Sequence, residues 1–160
     1  MAEQAETTRL EEEGEVAADY LEEFLDIVDL DGDIELDVRN GRAAVDVVGD
    51  SSDLAILIGD DGVVVDALQD LARLAVQART GNRSRLMLEI AGYRRSRTAA
   101  LEALAAEAVA KVRETSRPED LEPMNAFERK VVHDYVSSEG LTSESHGADP
   151  YRYVTVTLPE

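Results

Sequence analysis

LAILIGDDGVVVDALQDLARLAV, residues 54–76, joins a short apolar segment to a long amphipathic one through two glycines, Gly59 and Gly62. Neither glycine has a Cβ, so the backbone can pass close to another strand. The helix that follows is expected to offer free N–H groups and the positive end of its dipole to a phosphate. Asp60 and Asp61 sit where that phosphate would lie. As acids at a helix N-terminus, each stabilises the dipole by about 0.3–1 kcal/mol. A phosphate about 6 Å away in water is repelled by each acid by only about 0.7 kcal/mol. The loop therefore reads as a phosphate-grip scaffold whose charge opposes the grip.

Upstream, residues 1–12 are polar, acidic and without periodicity, which predicts a disordered leader. From Glu15 the residues Val16, Tyr20, Leu21, Phe24, Leu25 and Val28 recur at helical spacing. DIELDVRNGRAAVDVV then alternates around Asn40-Gly41, a pair suited to the type I′ turn, and predicts a β-hairpin. Ser51 or Ser52 is the expected cap of a short helix reaching Ile58. A longer helix is expected from about Val63 to Arg79, with Val64, Leu68, Leu71, Ala75 and Ala78 as its buried stripe. GNRS ends it, and RLMLEI reads as a third strand with Leu86, Leu88 and Ile90 inward. The order α-β-β-α-α-β describes an α+β unit with helices on one face of a three-stranded sheet.

Downstream, a helix is expected over about Ser96 to Thr115, with Leu101, Leu104, Ala108 and Val112 inward. RPEDLEP crosses over as a short strand. Asn125 with Glu128 three residues on marks a further helix start as a capping box. Two short strands, LTSESH and YRYVTVTL, close a small α/β unit.

The charge is strongly asymmetric. The chain has 35 acids against 16 lysines and arginines, a formal net charge of -19, and 22 of the acids fall in residues 1–80. That balance opposes broad attraction to nucleic acid or anionic membranes. Between Arg73 and Arg97, however, seven arginines face one acid, Glu89, so a local basic zone survives. With no cysteine and no apolar run near the roughly 20 residues that span a bilayer, the expected location is the cytoplasm.

Arg129 and His133 are four residues apart and share a helix face. Phe127, Val131 and Tyr135 form the opposite stripe, the expected core side, which leaves the arginine and histidine facing solvent. There they suit phosphate binding, a planar fork beside a ring donor, with Lys130 adding charge. The other reading pairs Arg129 with Glu128 or Asp134 and leaves His133 at a packing edge. Catalysis has little support: His133 and His146 form no familiar zinc set, and no nucleophile elbow or phosphate-binding P-loop occurs. No enzyme activity and no cofactor are expected. DLDGDIE, residues 29–35, places its glycine fourth rather than sixth, so it reads as a turn and not a calcium loop.

VDALQDLARLA, NRSRLMLEIAGYRRSR, LEPMNAFERKVVHDYV and GLTSESHGADPYRYV together resemble the bacterial Jag family, also called KhpB or EloR. These proteins join a KH domain, which clamps about four nucleotides with a G-x-x-G loop, to an R-three-H domain. RKVVH, Arg129 through His133, has the arginine–histidine spacing of the second name. The resemblance implies a type II-like KH unit over residues 13–92 and an R-three-H unit over 93–160. It also implies binding of single-stranded RNA, or alternatively single-stranded DNA, in a post-transcriptional role linked to cell elongation and division. The carried-over site residues are Arg129, His133, Lys130 and Arg152, with Gly59, Asp60, Asp61, Gly62, Arg83 and Arg85 contributing more weakly. Implied partners are a small single-KH protein and, indirectly, the membrane insertase. The rival reading is a protein-interaction adapter whose KH loop no longer binds RNA. Three features depart from the family: an additional N-terminal Jag domain has no counterpart in these residues, the family's basic loop residue is replaced by Asp60-Asp61, and Tyr151 stands where relatives carry a base.

Overall fold

The computed structural model describes residues 1–160. Asn40 and Gly41 both take positive φ, 53° and 69°, as a type I′ turn demands. They fold β1 (Asp33–Arg39) back on β2 (Arg42–Val48) in an antiparallel ladder. β3 (Met87–Ile90) adds to β2 in parallel, with Ala44 opposite Met87, giving the order β1-β2-β3. α1 (Ala2–Ile27) packs against β1 and β2, and α3 (Val63–Thr80) against β3 and α1. Between β2 and α3 lie α2 (Ser51–Leu54), a 3₁₀ turn over Ala55–Leu57 and the two-glycine loop. The core of this unit is aliphatic: Leu21, Val45, Leu54, Val65, Leu86, Leu88 and Ile90 are fully buried. The three inward residues expected on β3 are all in it.

The outer edge of β3 is closed by side chains. Arg73 Nε donates to the Leu86 carbonyl at 2.9 Å, and Arg94 Nε donates to the Leu88 carbonyl at 2.8 Å. The Leu88 N–H donates to Gln69 Oε1 at 3.0 Å. An edge strand saturated in this way cannot pair with a further strand.

Three expectations for this unit need correction. Residues 2–12 are helical, because α1 runs back to Ala2. Leu10, Glu13 and Ala17 are buried and nucleate the helix, after which each added residue of a helix-forming run gains one hydrogen bond. The buried Glu13 carboxylate accepts from Ser84 Oγ at 3.3 Å and so ties α1 to the approach to β3. The cap of α2 is Asp50, whose carboxylate accepts from the Ser52 and Asp53 N–H groups. These bonds, the Ser52 hydroxyl first, hold its pKa below the usual carboxylate range. α3 buries Val65, Leu68, Ala72 and Val76, a stripe rotated from the expected one and sharing only Leu68 with it. Outside those corrections, β1 is an exposed edge strand on which Leu36 stays 43% exposed.

The chain divides into compact units over residues 1–94 and 95–160. The second contains most of α4 (Tyr93–Thr115), β4 (Glu119–Asp120), α5 (Ala126–Ser138), β5 (Thr142–His146) and β6 (Tyr153–Thr157). Its antiparallel sheet has the order β4-β6-β5. Leu101, Ala105, Ala108, Val109 and Val112 of α4 meet Val132, Val136, Val154 and Val156 in its core. Leu104, expected inward, is exposed, and Ala105 takes its place. No helix is long and apolar enough to cross a membrane.

Candidate functional site

The capping box starts α5 as its sequence predicts: Asn125 Oδ1 accepts from the Glu128 N–H at 2.9 Å, and Glu128 Oε2 accepts from the Asn125 N–H at 3.2 Å. Glu128 is itself buried, with its other oxygen held by Arg97 Nε at 2.7 Å. This fixes the rotation of α5 and puts Arg129 inward, 6% exposed, contrary to the solvent-facing position expected for it. Phe127, expected in the core, is 52% exposed; Val131 and Tyr135 pack against the core as expected, and Val132 and Val136 are its fully buried members on this helix.

Arg129 is a structural clasp as well as a charge. Its Nη1 donates to the Met124 carbonyl at 2.6 Å and to Asp149 Oδ1 at 3.2 Å. The Met124 N–H in turn donates to the Arg152 carbonyl at 3.1 Å. The approach to α5 and the approach to β6 are thereby held together, with two guanidinium-bearing residues at the join. Arg152 Nε is buried and has no hydrogen-bond partner. A charged donor left without an acceptor is costly.

His133 lies between α5 and β5. Its Nδ1 is 2.6 Å from Ser143 Oγ and its Nε2 is 2.8 Å from Ser145 Oγ. A hydroxyl can donate or accept, so the two serines satisfy either neutral tautomer and the imidazolium alike. Burial, then the positive charges of Arg129 and Arg152, push the His133 pKa below its ordinary value, with Asp134 opposing them. Lys130 is exposed on the neighbouring face and pairs with Asp134 at 3.1 Å. Arg129 is offset by Asp149 and Lys130 by Asp134, so the positive charge here without an ion-pair partner comes from Arg152 and, when protonated, His133.

Residues 99–158 match the R-three-H domain. The chain is 32% identical over 143 residues to the RNA-binding protein KhpB of Clostridium symbiosum, an alignment covering 89% of this chain and 64% of that one. It is 31% identical over 141 residues to KhpB of Lactiplantibacillus plantarum, covering 88% and 43%. To KhpB of Bacillus subtilis it is 28% identical over 118 residues, covering 74% and 56%. Over most of its length the chain is thus similar to KhpB proteins, and it carries their R-three-H domain. It spans between 43% and 64% of the length of these relatives.

The two-glycine loop differs from what its sequence promises. Gly59 and Gly62 have φ of 73° and 78°, and a Cβ on either would collide with Val64 or with the Tyr93 ring. Both glycines are therefore required by the fold. The N–H groups of Val64 and Val65 donate to the Ile58 carbonyl, and that of Val63 donates to the Asp60 carbonyl. The donors that the start of α3 was expected to offer a phosphate are thus already used. Asp60 and Asp61 stand exposed over the loop, Asp61 in the left-handed region. Arg83 and Arg85 are exposed on the connection into β3.

Sequence reasoning missed two features. Arg42 and Arg73 both approach the Met87 sulfur, a grouping that tertiary contact alone creates. The outward face of α3 carries Val63, Leu71 and Leu74, 62%, 48% and 60% exposed, with Ala67 and Ala78 on the same stripe. The signal for this second feature was present: α3 has more apolar residues than one buried stripe can hold.

Proposed function

We propose that this chain is a binding protein for single-stranded RNA and that the R-three-H unit makes the principal contact. The carrying observation is the convergence of Arg129, Arg152 and His133, with Arg152 Nε buried and lacking an acceptor. A phosphate oxygen meets the accessible part of the Arg152 side chain, and Lys130 adds charge at the rim. The name of the relatives, RNA-binding protein KhpB, supports the same reading. Gly59, Asp60, Asp61 and Gly62 take a minor part, because the loop's donors are engaged internally and its acids face outward. A role in cell elongation or division follows as a consequence of RNA binding in this family, in the cytoplasm.

The test is RNA affinity across a salt series for the native chain and for Arg152→Gln, Lys130→Gln and His133→Gln. Arg152→Gln is expected to weaken binding by about tenfold, in keeping with loss of a charge-assisted contact. Unchanged affinity in all three variants would sink the assignment. Arg129→Ala is a poor first probe, because Arg129 also holds Met124.

A second reading is favoured by one observation, the exposed apolar stripe Val63, Leu71 and Leu74 on α3. A protein-docking role for this face, with a small single-KH protein as the partner, is compatible with RNA binding by the other unit. Leu71→Lys with Leu74→Lys is expected to abolish co-sedimentation with such a partner while leaving RNA affinity unchanged.

A further inference from the structure

We propose that Arg42, Arg73 and Arg85 form a second phosphate-binding subsite, in the first unit and apart from the two-glycine loop, whose ligand is the backbone of a single-stranded nucleic acid. This rests on the RNA-binding reading and extends it from Arg85, one of the weaker site residues the resemblance implies, to Arg42 and Arg73, which no motif marks.

The grouping follows from register. β2 and β3 run in parallel with Ala44 opposite Met87, so extending the ladder by two residues sets Arg85 beside Arg42. Side chains two apart on a strand share a face, so Arg42, Arg85 and Met87 lie on the side of the sheet away from α1 and α3. Arg73 reaches the same place from α3 around the edge of β3, anchored by Nε on the Leu86 carbonyl. Arg42 Nη1 is 3.4 Å from Met87 Sδ, and Arg73 Nη2 is 3.7 Å from it. The two nitrogens can be no further apart than those two distances laid end to end, a gap that one phosphate bridges with a pair of N–H···O bonds of about 2.8 Å each.

A thioether is a weak acceptor, and two guanidinium groups converging on one sulfur leave most of their hydrogen-bonding capacity unused. The surroundings sharpen the point. Neighbouring arginines are neutralised: Arg39 by Asp46 at 2.9 Å, and Arg94 by Asp66 at 2.9 Å. Arg42, Arg73 and Arg85 form no ion pair, in a chain with 35 acids to choose from. Burial holds Arg73 below its ordinary pKa, and Arg42, Arg94 and Arg85 add to that against the pull of Asp70. Capping the β3 edge accounts for the Nε of Arg73 and for nothing in Arg42 or Arg85.

The experiment measures the affinity of the full chain for a labelled single-stranded oligoribonucleotide of mixed sequence, with log K plotted against log salt. For single strands each phosphate contact contributes about 0.7 to the slope. Arg42→Gln with Arg85→Gln is expected to lower the slope by about 1.4, Arg42→Lys with Arg85→Lys to restore it, and Arg39→Gln to leave it unchanged. Arg42 and Arg85 anchor no backbone group, and the lysine pair separates lost charge from lost fold. A native chain that binds with a slope unaffected by the glutamine pair overturns this subsite alone. A native chain that binds no RNA overturns the RNA-binding reading and the subsite together. Competition by polyglutamate as effective as by RNA overturns the nucleic-acid assignment, since the surface would then serve an acidic protein.

Discussion

Arg129 shows how far one side chain can depart from its apparent role. Its spacing to His133 advertises a ligand-facing pair, yet it is buried and bonded to the Met124 carbonyl. Replacing it with alanine leaves that carbonyl without its charged donor, and the expected cost is about 1.5–3 kcal/mol of stability. Lys130→Ala on the exposed face is expected to change stability by less than about 0.5 kcal/mol. Urea denaturation of the two variants checks the contrast. His133 makes a prediction in pH. Its folded-state pKa is depressed, so as pH falls through about 6.5 the unfolded chain takes up the proton first. The neutral ring's contribution to stability is therefore complete above that pH and is lost as the pH drops toward the folded value. RNA affinity should move the opposite way, because a protonated His133 attracts phosphate. Urea midpoints and RNA affinities at pH 7.5 and pH 5.5 should show both trends, and His133→Gln should diminish both.

Among the elements, α1 and α3 separate what propensity controls from what packing controls. The first two turns of α1 are exposed and held only by their own ladder, with Thr7 and Thr8 hydroxyls bonding back to the Glu3 and Gln4 carbonyls. Amides of residues 5–9 should exchange with solvent much faster than those of residues 17–25, whose side chains meet the sheet. Deleting residues 1–8 should cost less than about 1 kcal/mol. Equal protection along the whole helix would mean that its first turns are covered. On α3, Leu68→Ala removes a core side chain and is expected to cost about 2–5 kcal/mol, whereas Leu74→Lys lies on the exposed stripe and should be nearly neutral. The difference in denaturation midpoint is the check. It also decides which of two apolar stripes on one helix is the core, a point periodicity left open because both repeat every three or four residues.

Across the whole molecule, charge and core are organised separately. A formal charge of -19 repels a polyanion at long range, while the arginines act over a few ångströms. The association rate with single-stranded RNA should therefore not fall with added salt between about 20 and 150 mM as it does for a basic protein, whereas dissociation should speed up. Stopped-flow measurements separate the two. A steep fall in association rate would show that the local basic groups dominate the approach. The aliphatic cores of the two units share no residue. The element order, the hairpin turn at Asn40-Gly41, the capping box at Asn125 and the inward residues of β3 could all be read along the chain. Each is set by interactions between residues close in sequence or by strict alternation. The same is true of the spacing of Arg129 and His133. Only the tertiary structure decided which way α5 turns, which stripe of α3 is buried, and that Val63, Val64 and Val65 spend their N–H groups on the loop itself. It alone brought Arg42 and Arg73 to one sulfur. Rotation about a helix axis and convergence of distant side chains depend on what the rest of the chain places opposite them, and no local pattern carries that information.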